Sequence, residues 1–204
     1  MNEQTYLTIS KEASCELNIE RSRFIGHCME TPSEAEAKFF IENIKTKHSQ
    51  ANHNCYAYRI QAGEYPQEYF NDQGEPSGTA GKPILGAIQR LNLLNVTVVV
   101  TRYFGGKKLG VRGLIEAYGK TASSVLEQAG TLLKIPKCSM TLNYPYNEHS
   151  KIIYQLKQVE AENIATEFGE SVQTSFLIPL SEYSVFLDFL RESPHIKVLL
   201  VSKP

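Results

Sequence analysis

Apolar and polar positions change period several times along this chain, and each change marks an element. Tyr6-Leu7-Thr8-Ile9, the alternation of Cys15, Leu17 and Ile19 with polar neighbours, and the run Phe24 to Cys28 predict three opening strands. Pro32-Ser33-Glu34-Ala35-Glu36 then sets a serine three residues before a glutamate, the spacing of a capping box, and Ala37, Phe40, Ile41 and Ile44 recur at helical intervals. That helix should run to about His48. Cys55 to Ile60 places Tyr56, Tyr58 and Ile60 on one face of a strand, with Arg59 interrupting the other. Pro83 suits the first turn of a helix because the proton it lacks would have no partner there, and Ile84, Leu85, Ile88 and Leu91 supply its buried stripe. Val96 to Val100 is nearly continuous and β-branched, as in a strand covered by helices on both faces. Leu114, Tyr118, Ala122, Val125 and Ala129 mark a further helix that Gly130 should stop.

From Cys138 the pattern starts afresh. A strand to about Tyr144 is followed by a helix through Ile152, Ile153 and Leu156, and strands follow near 161–168 and 171–179. A helix through Val185, Phe186 and Phe189 and a last strand from Ile196 to Val201 complete the order β-α-β-β-α-β. This is the split βαβ motif, which closes a four-stranded sheet with two helices on one face. The expected organisation is therefore α+β, with domains at 1–137 and 138–204 and the boundary just after Ile135-Pro136.

Composition narrows the classes. With 42% hydrophobic and 21% charged residues the chain can bury a core, so disorder is excluded as its main state. No apolar run approaches the roughly 18 residues that cross a bilayer, and the opening MNEQTYLTIS lacks the layout of a secretory signal. No membrane association and a cytoplasmic location are expected. The formal net charge of −1 divides into +2 for residues 1–137 and −3 for the rest, so any nucleic-acid contact should be local and made by the first domain. Cysteines 15, 28, 55 and 138 form no C-x-x-C pair and read as reduced, mostly buried thiols. Neither a metal nor a cofactor is expected.

Two glycine-rich segments carry the candidate chemistry. NDQGEPSGTAGKP at 71–83 fails as a P-loop, because Pro76 and Pro83 occupy the positions of its first glycine and its hydroxyl residue. GGKKLG at 105–110 fails as a dinucleotide fingerprint. A generic anion site survives: Gly81 and Lys82 sit at one helix start and Gly110, Arg112 and Gly113 at another, where free amides meet positive charge. Arg102, Lys107, Lys108 and Arg112, with Tyr103 and Phe104 interleaved, combine phosphate neutralisation with stacking surfaces, as in a binder of single-stranded RNA. A merely solvated surface is the competing reading. His53, Asn54, Asp72 and Glu75 could make an acid-base or metal group, against the stronger habit of Asp and Glu beside Gly and Pro to cap turns. Tyr144-Pro145-Tyr146 most simply fills a core or edges a sheet.

NDQGEPSGTAGKPIL, VVVTRYFGGKKLG and GLIEAYG, supported by SRFIG at 22–26 and HNCYAYRI at 53–60, resemble the signature of the YigZ/IMPACT family. The positions that match are His53, Asn54, Tyr56, Arg59, Asp72, Gly74, Glu75, Pro76, Gly78, Thr79, Gly81, Lys82, Arg102, Tyr103, Gly105, Gly106, Gly110 and Gly113. Arg112 stands where the family usually has glycine, Glu116 where it has a basic residue, and Lys107 where it is often apolar. Arg112 and Glu116, four apart on the expected helix, are placed to pair. The resemblance implies a first domain with the fold shared by a small-subunit ribosomal protein domain and the GHMP kinases. It implies a ferredoxin-like second domain similar to a C-terminal domain of elongation factor G. Eukaryotic members act in translational control through a ribosome-associated partner and an RWD module; no such module is read here, so that partner is not carried over.

The resulting expectation is a non-enzymatic regulator of translation that binds RNA or a ribosome-associated protein through Lys82, Arg102, Tyr103, Lys107, Lys108 and Arg112. The rival is an enzyme of phosphate-containing or peptide substrates whose cleft is lined by Asp72, Glu75, His53 and Lys82, with the matching motif positions Asn54, Arg59, Thr79, Gly81, Gly105, Gly106 and Gly110 around it. A protein–protein adaptor is the third reading.

Overall fold

A computed structural model describes residues 5–62 and 65–202. Residues 1–4, the start of the stretch MNEQTYLTIS on which the leader reading rests, lie outside them. The chain divides into two units, Tyr6–Leu133 and the residues from Lys134 onward.

The first unit holds β1 (Tyr6–Ile9), β2 (Ala13–Ile19), β3 (Ser22–Glu30), α1 (Glu34–Lys47), β4 (His53–Ala62), β5 (Tyr65–Asn71), α2 (Gly81–Arg90), β6 (Val96–Tyr103) and α3 (Gly110–Ala129). Strands β2-β3-β6-β4-β5 form one sheet in that order, antiparallel throughout, while β1 pairs with β7 (Thr131–Lys134). The sheet is covered on both sides, as the VTVVV run requires. Val99 packs with Phe40, Ile41 and Ile44 of α1, whereas Val96, Val98 and Val100 join Ile84 and Ile88 of α2 and Leu114, Ala122 and Val125 of α3. Each of these fully buried valines contributes on the order of 1.5–3 kcal/mol, so β6 is the keel of the unit.

Helix α1 starts as its sequence predicts: Ser33 Oγ accepts from the Glu36 N–H at 3.3 Å and donates to the Glu36 carboxylate at 3.0 Å. Gly130 ends α3 with φ 67, the left-handed backbone that glycine adopts without strain. Strand β5 was not predicted. It is a sheet edge, mostly exposed, and its sequence YPQEYFN has neither alternation nor a continuous apolar run. The β6-facing side of the sheet is already filled without it, and an edge position tolerates Pro66.

The second unit comprises β8 (Lys137–Tyr144), α4 (His149–Gln158), β9 (Glu162–Phe168), β10 (Val172–Pro179), α5 (Tyr183–Arg191) and β11 (Lys197–Ser202). Its sheet runs β11-β8-β10-β9. Cys138, Met140, Leu142 and Tyr144 of β8 and Val172, Phe176 and Ile178 of β10 share one core with Ile152 and Leu156 of α4 and Phe186 and Leu190 of α5. Both helices therefore lie on one face, the arrangement the β-α-β-β-α-β order implies.

Candidate functional site

The loop between β5 and α2 is organised by one carboxylate. Asp72 Oδ2 accepts from the Gly78 amide at 2.8 Å, and Oδ1 accepts from Ala80 at 2.9 Å and Gly81 at 2.8 Å. Three donors at the start of α2 are thereby satisfied within the chain. The anion expected at Gly81 is Asp72 itself, which corrects the reading of these amides as free. Gly81 is required by contact: a Cβ there would lie 2.8 Å from the Asn71 backbone nitrogen. Thr79, also buried, donates to the Pro76 carbonyl at 2.6 Å.

Glu75 and Arg102 meet although they are 27 positions apart, their side chains only 4% and 6% exposed. Arg102 donates to Glu75 Oε1 at 2.6 Å, and the Tyr118 hydroxyl of α3 donates to the same oxygen at 2.9 Å. The Arg102 guanidinium also sits over the rings of Phe24 and Phe104, at 5.5 and 5.3 Å. A buried ion pair of this kind is costly to break, because a lone buried charge remains. Around it, His53 donates through Nδ1 to the Gln73 carbonyl at 2.9 Å, which turns Nε2 toward Glu75 at 3.9 Å. The Cys55 thiol donates to the Asp72 carbonyl at 2.9 Å, and burial pushes it up to about 12. Burial likewise raises Tyr118, reinforced by Cys55 and Glu75. These groups stay protonated at neutral pH.

The two glycine segments converge here. Ser22 Oγ receives Arg102 at 3.5 Å and the Gly105 amide at 3.3 Å. A Cβ on Gly105 would fall 1.7 Å from the Arg21 carbonyl oxygen, so only glycine lets the two backbones pass. Gly106 and Gly110 lie in the exposed turn that leads into α3.

Several expected ligand contacts are thus internal bonds. Arg102 is buried on Glu75 and is no surface cation. Tyr103 gives its hydroxyl to a hydrogen bond with His48 at 3.0 Å, and its ring face lies under the Arg23 guanidinium at 4.4 Å. Asn54 bridges Thr101 and the His48 carbonyl, and Arg59 binds Glu68, Asn92 and the Leu93 carbonyl. Asp72 and Glu75, expected to line a cleft, are both engaged from inside.

The remaining cations lie on a different surface. Lys107 and Lys108 line an open depression of about 490 Å³ with Gly113, Glu20, Glu116 and Lys120. Lys107 pairs with Glu20, and Arg112 pairs with Glu116 at 2.8 Å, as their spacing predicts. Lys82, Lys108 and Lys120 are exposed and form no ion pair among the described residues. The first turn of α3 has no side-chain cap. Tyr118, Ser22, Glu20 and Lys120 were not singled out from sequence. Tyr118 reads as one more apolar helix position, Ser22 and Glu20 are distant in sequence from the loop they join, and Lys120 lies two turns beyond Gly113 on the same helix.

Among the described residues no group of three or more His, Cys, Asp or Glu could hold a metal ion, and no helix is long and apolar enough to cross a membrane. Fold and site together define a two-unit α+β protein whose glycine-rich signature closes on a buried Glu–Arg pair and leaves a lysine-lined rim. The chain belongs to the IMPACT family: the Impact N-terminal domain matches residues 20–126. It is 37% identical to the IMPACT family member YvyE of Bacillus subtilis, over 92% of this chain and 86% of that one. It is 36% identical to the IMPACT family member YigZ of Escherichia coli, over 86% and 88%. A crystal structure of a hypothetical protein, 32% identical, covers 100% of both chains with a TM-score of 0.70.

Proposed function

We propose that the protein regulates translation by binding RNA, free or on a ribosomal surface, through the rim of Lys107, Lys108 and Lys120. The translational part follows from the family resemblance. The RNA part is supported by one observation above the others: three lysines gather at an open depression beside the uncapped start of a 20-residue helix, and two of them lack an internal counter-charge. A helix N-terminus with free amides favours phosphate, and unpaired lysines add the charge that neutralises it. The engagement of Asp72 and Glu75 favours this reading over hydrolysis, since neither carboxylate is left to activate water.

The test is binding of single-stranded and structured RNAs across a salt series, for the unchanged chain and for a Lys108→Glu, Lys120→Glu variant. Affinity should fall with salt by several counterions, and the variant should lose about two of them in slope. Salt-independent or undetectable binding by both chains would sink the proposal.

A further inference from the structure

The second unit carries aromatic rings on its surface that its own core does not need. Tyr146 is 54% exposed and Phe168 62%, with their rings stacked at 6.1 Å and 25°. His149 meets the Phe168 ring edge-on at 5.4 Å. These rings are held in place by polar contacts. The Tyr146 hydroxyl donates to the Gly169 carbonyl at 2.7 Å, and the buried Tyr144 hydroxyl hydrogen-bonds His149 Nδ1 at 3.0 Å. An exposed tyrosine whose hydroxyl is tied to the backbone has already lost the side-chain freedom that binding would otherwise cost.

Charge decides what such a surface accepts. Glu148 and Glu170 stand beside this cluster in sequence, next to His149 and Gly169, and neither forms an ion pair among the described residues, whereas Glu167, opposite Gln173 in the sheet, lies on the other face from Phe168. Of the unit's other acids, Glu162 pairs with Lys137 and Asp188 with Arg191, while Glu160, Glu182 and Glu192 are distant in sequence from the rings. The nearby Lys151 is turned to Ser193 at 2.9 Å and lies over Phe189. Ring faces suit either a nucleobase or a cation. Two unneutralised carboxylates repel phosphate and attract ammonium and guanidinium groups.

We propose that Tyr146, Phe168 and His149 form a docking site for a basic peptide segment, its arginine or lysine side chains stacked on the rings and neutralised by Glu148 and Glu170. This surface belongs to the second unit and is separate from the lysine rim of the first. A protein with both would hold an acidic and a basic partner at once.

The probe is a fluorescent nine-residue oligoarginine peptide, titrated into the full chain beside a single-stranded RNA. Replacing Tyr146 and Phe168 by leucine keeps apolar bulk and removes the ring faces. It should weaken peptide binding about tenfold, with RNA affinity and the unfolding midpoint unchanged. A Glu148→Gln, Glu170→Gln variant should weaken the peptide further as salt is lowered, because the charge attraction is what low salt exposes. Peptide affinity equal in the leucine variant and the unchanged chain would overturn the proposal. So would loss of RNA binding in the leucine variant, which would assign the rings to nucleic acid.

Discussion

Two stretches of the same signature, the 72–82 loop with Arg102 and the 107–113 loop, have like compositions and opposite fates. Both combine glycine with charge. In the first, every charge whose position was singled out except Lys82 finds a partner inside the fold: Asp72 on three amides, Glu75 on Arg102 and Tyr118. In the second, Lys107, Lys108 and Arg112 remain exposed, paired only with surface acids or with nothing. Glycine and charge together therefore do not mark a ligand site. What separates the halves is whether a counter-charge elsewhere in the chain is brought close enough, away from water, to claim the group.

The strongest way to break this comparison is Glu75→Ala. If the first half is internal, removing the carboxylate strands Arg102 in the core and should cost about 3–5 kcal/mol, read as a fall in the urea midpoint. Glu75→Leu with Arg102→Met removes both charges at similar volume and should recover most of that loss. A single variant as stable as the unchanged chain would show that Glu75 is held for something other than the fold.

Next in size is a dependence on pH, which comes from the residues beside Arg102. Tyr103 bonds His48, whose Nε2 lies 3.0 Å from His27 Nε2. His27 is 6% exposed, and burial first, with the charges of His48 and Lys47 after it, lowers it from an ordinary 6.5 to about 4. The folded chain then refuses a proton that the unfolded chain accepts. Stability is full above about pH 6.5 and falls as the pH drops toward 4, by about 3 kcal/mol. Unfolding curves at pH 7 and pH 4.5 should differ in the unchanged chain and much less in His27→Gln. Equal losses in both would place the acid sensitivity elsewhere.

The fold was legible where periodicity was strong. The VTVVV strand, the serine-capped α1 and the split βαβ order could all be read, because each depends on residues close in sequence. Strand β5 was not, since an exposed edge needs no apolar pattern. The site was half legible. Sequence could nominate Asp72, Glu75 and Arg102, but the roles of Glu75 and Arg102 depend on Tyr118 and Ser22, which only the fold places at 2.9 and 3.5 Å from them. Gly105 shows the same limit: its need is a passing backbone at Arg21, more than eighty positions upstream.

Asp72→Ala tests the first half more gently. The variant leaves the amides of Gly78, Ala80 and Gly81 without their acceptor, and loss of a helix cap costs about 0.5–2 kcal/mol. Asn at this position should recover part of it, since its carbonyl still accepts. The unfolding midpoints of the two variants should rank in that order, with Asp72→Ala lower. Wild-type stability in Asp72→Ala would mean that water satisfies these amides, and the loop would then be open to an outside anion after all.

The smallest effect on stability belongs to the second half, and its smallness is the point. Lys108 and Lys120 touch no internal partner, so reversing both should move the unfolding midpoint by no more than about 0.5 kcal/mol in equivalent energy. The same variant is expected to lose RNA affinity, so binding and stability should respond to opposite halves of one signature. A loss above about 1 kcal/mol on reversing these lysines would erase the contrast, because the rim would then also be part of the scaffold. A retained midpoint with weakened RNA binding would instead separate them: carboxylates that close the fold inside, and lysines outside that the fold itself leaves unused.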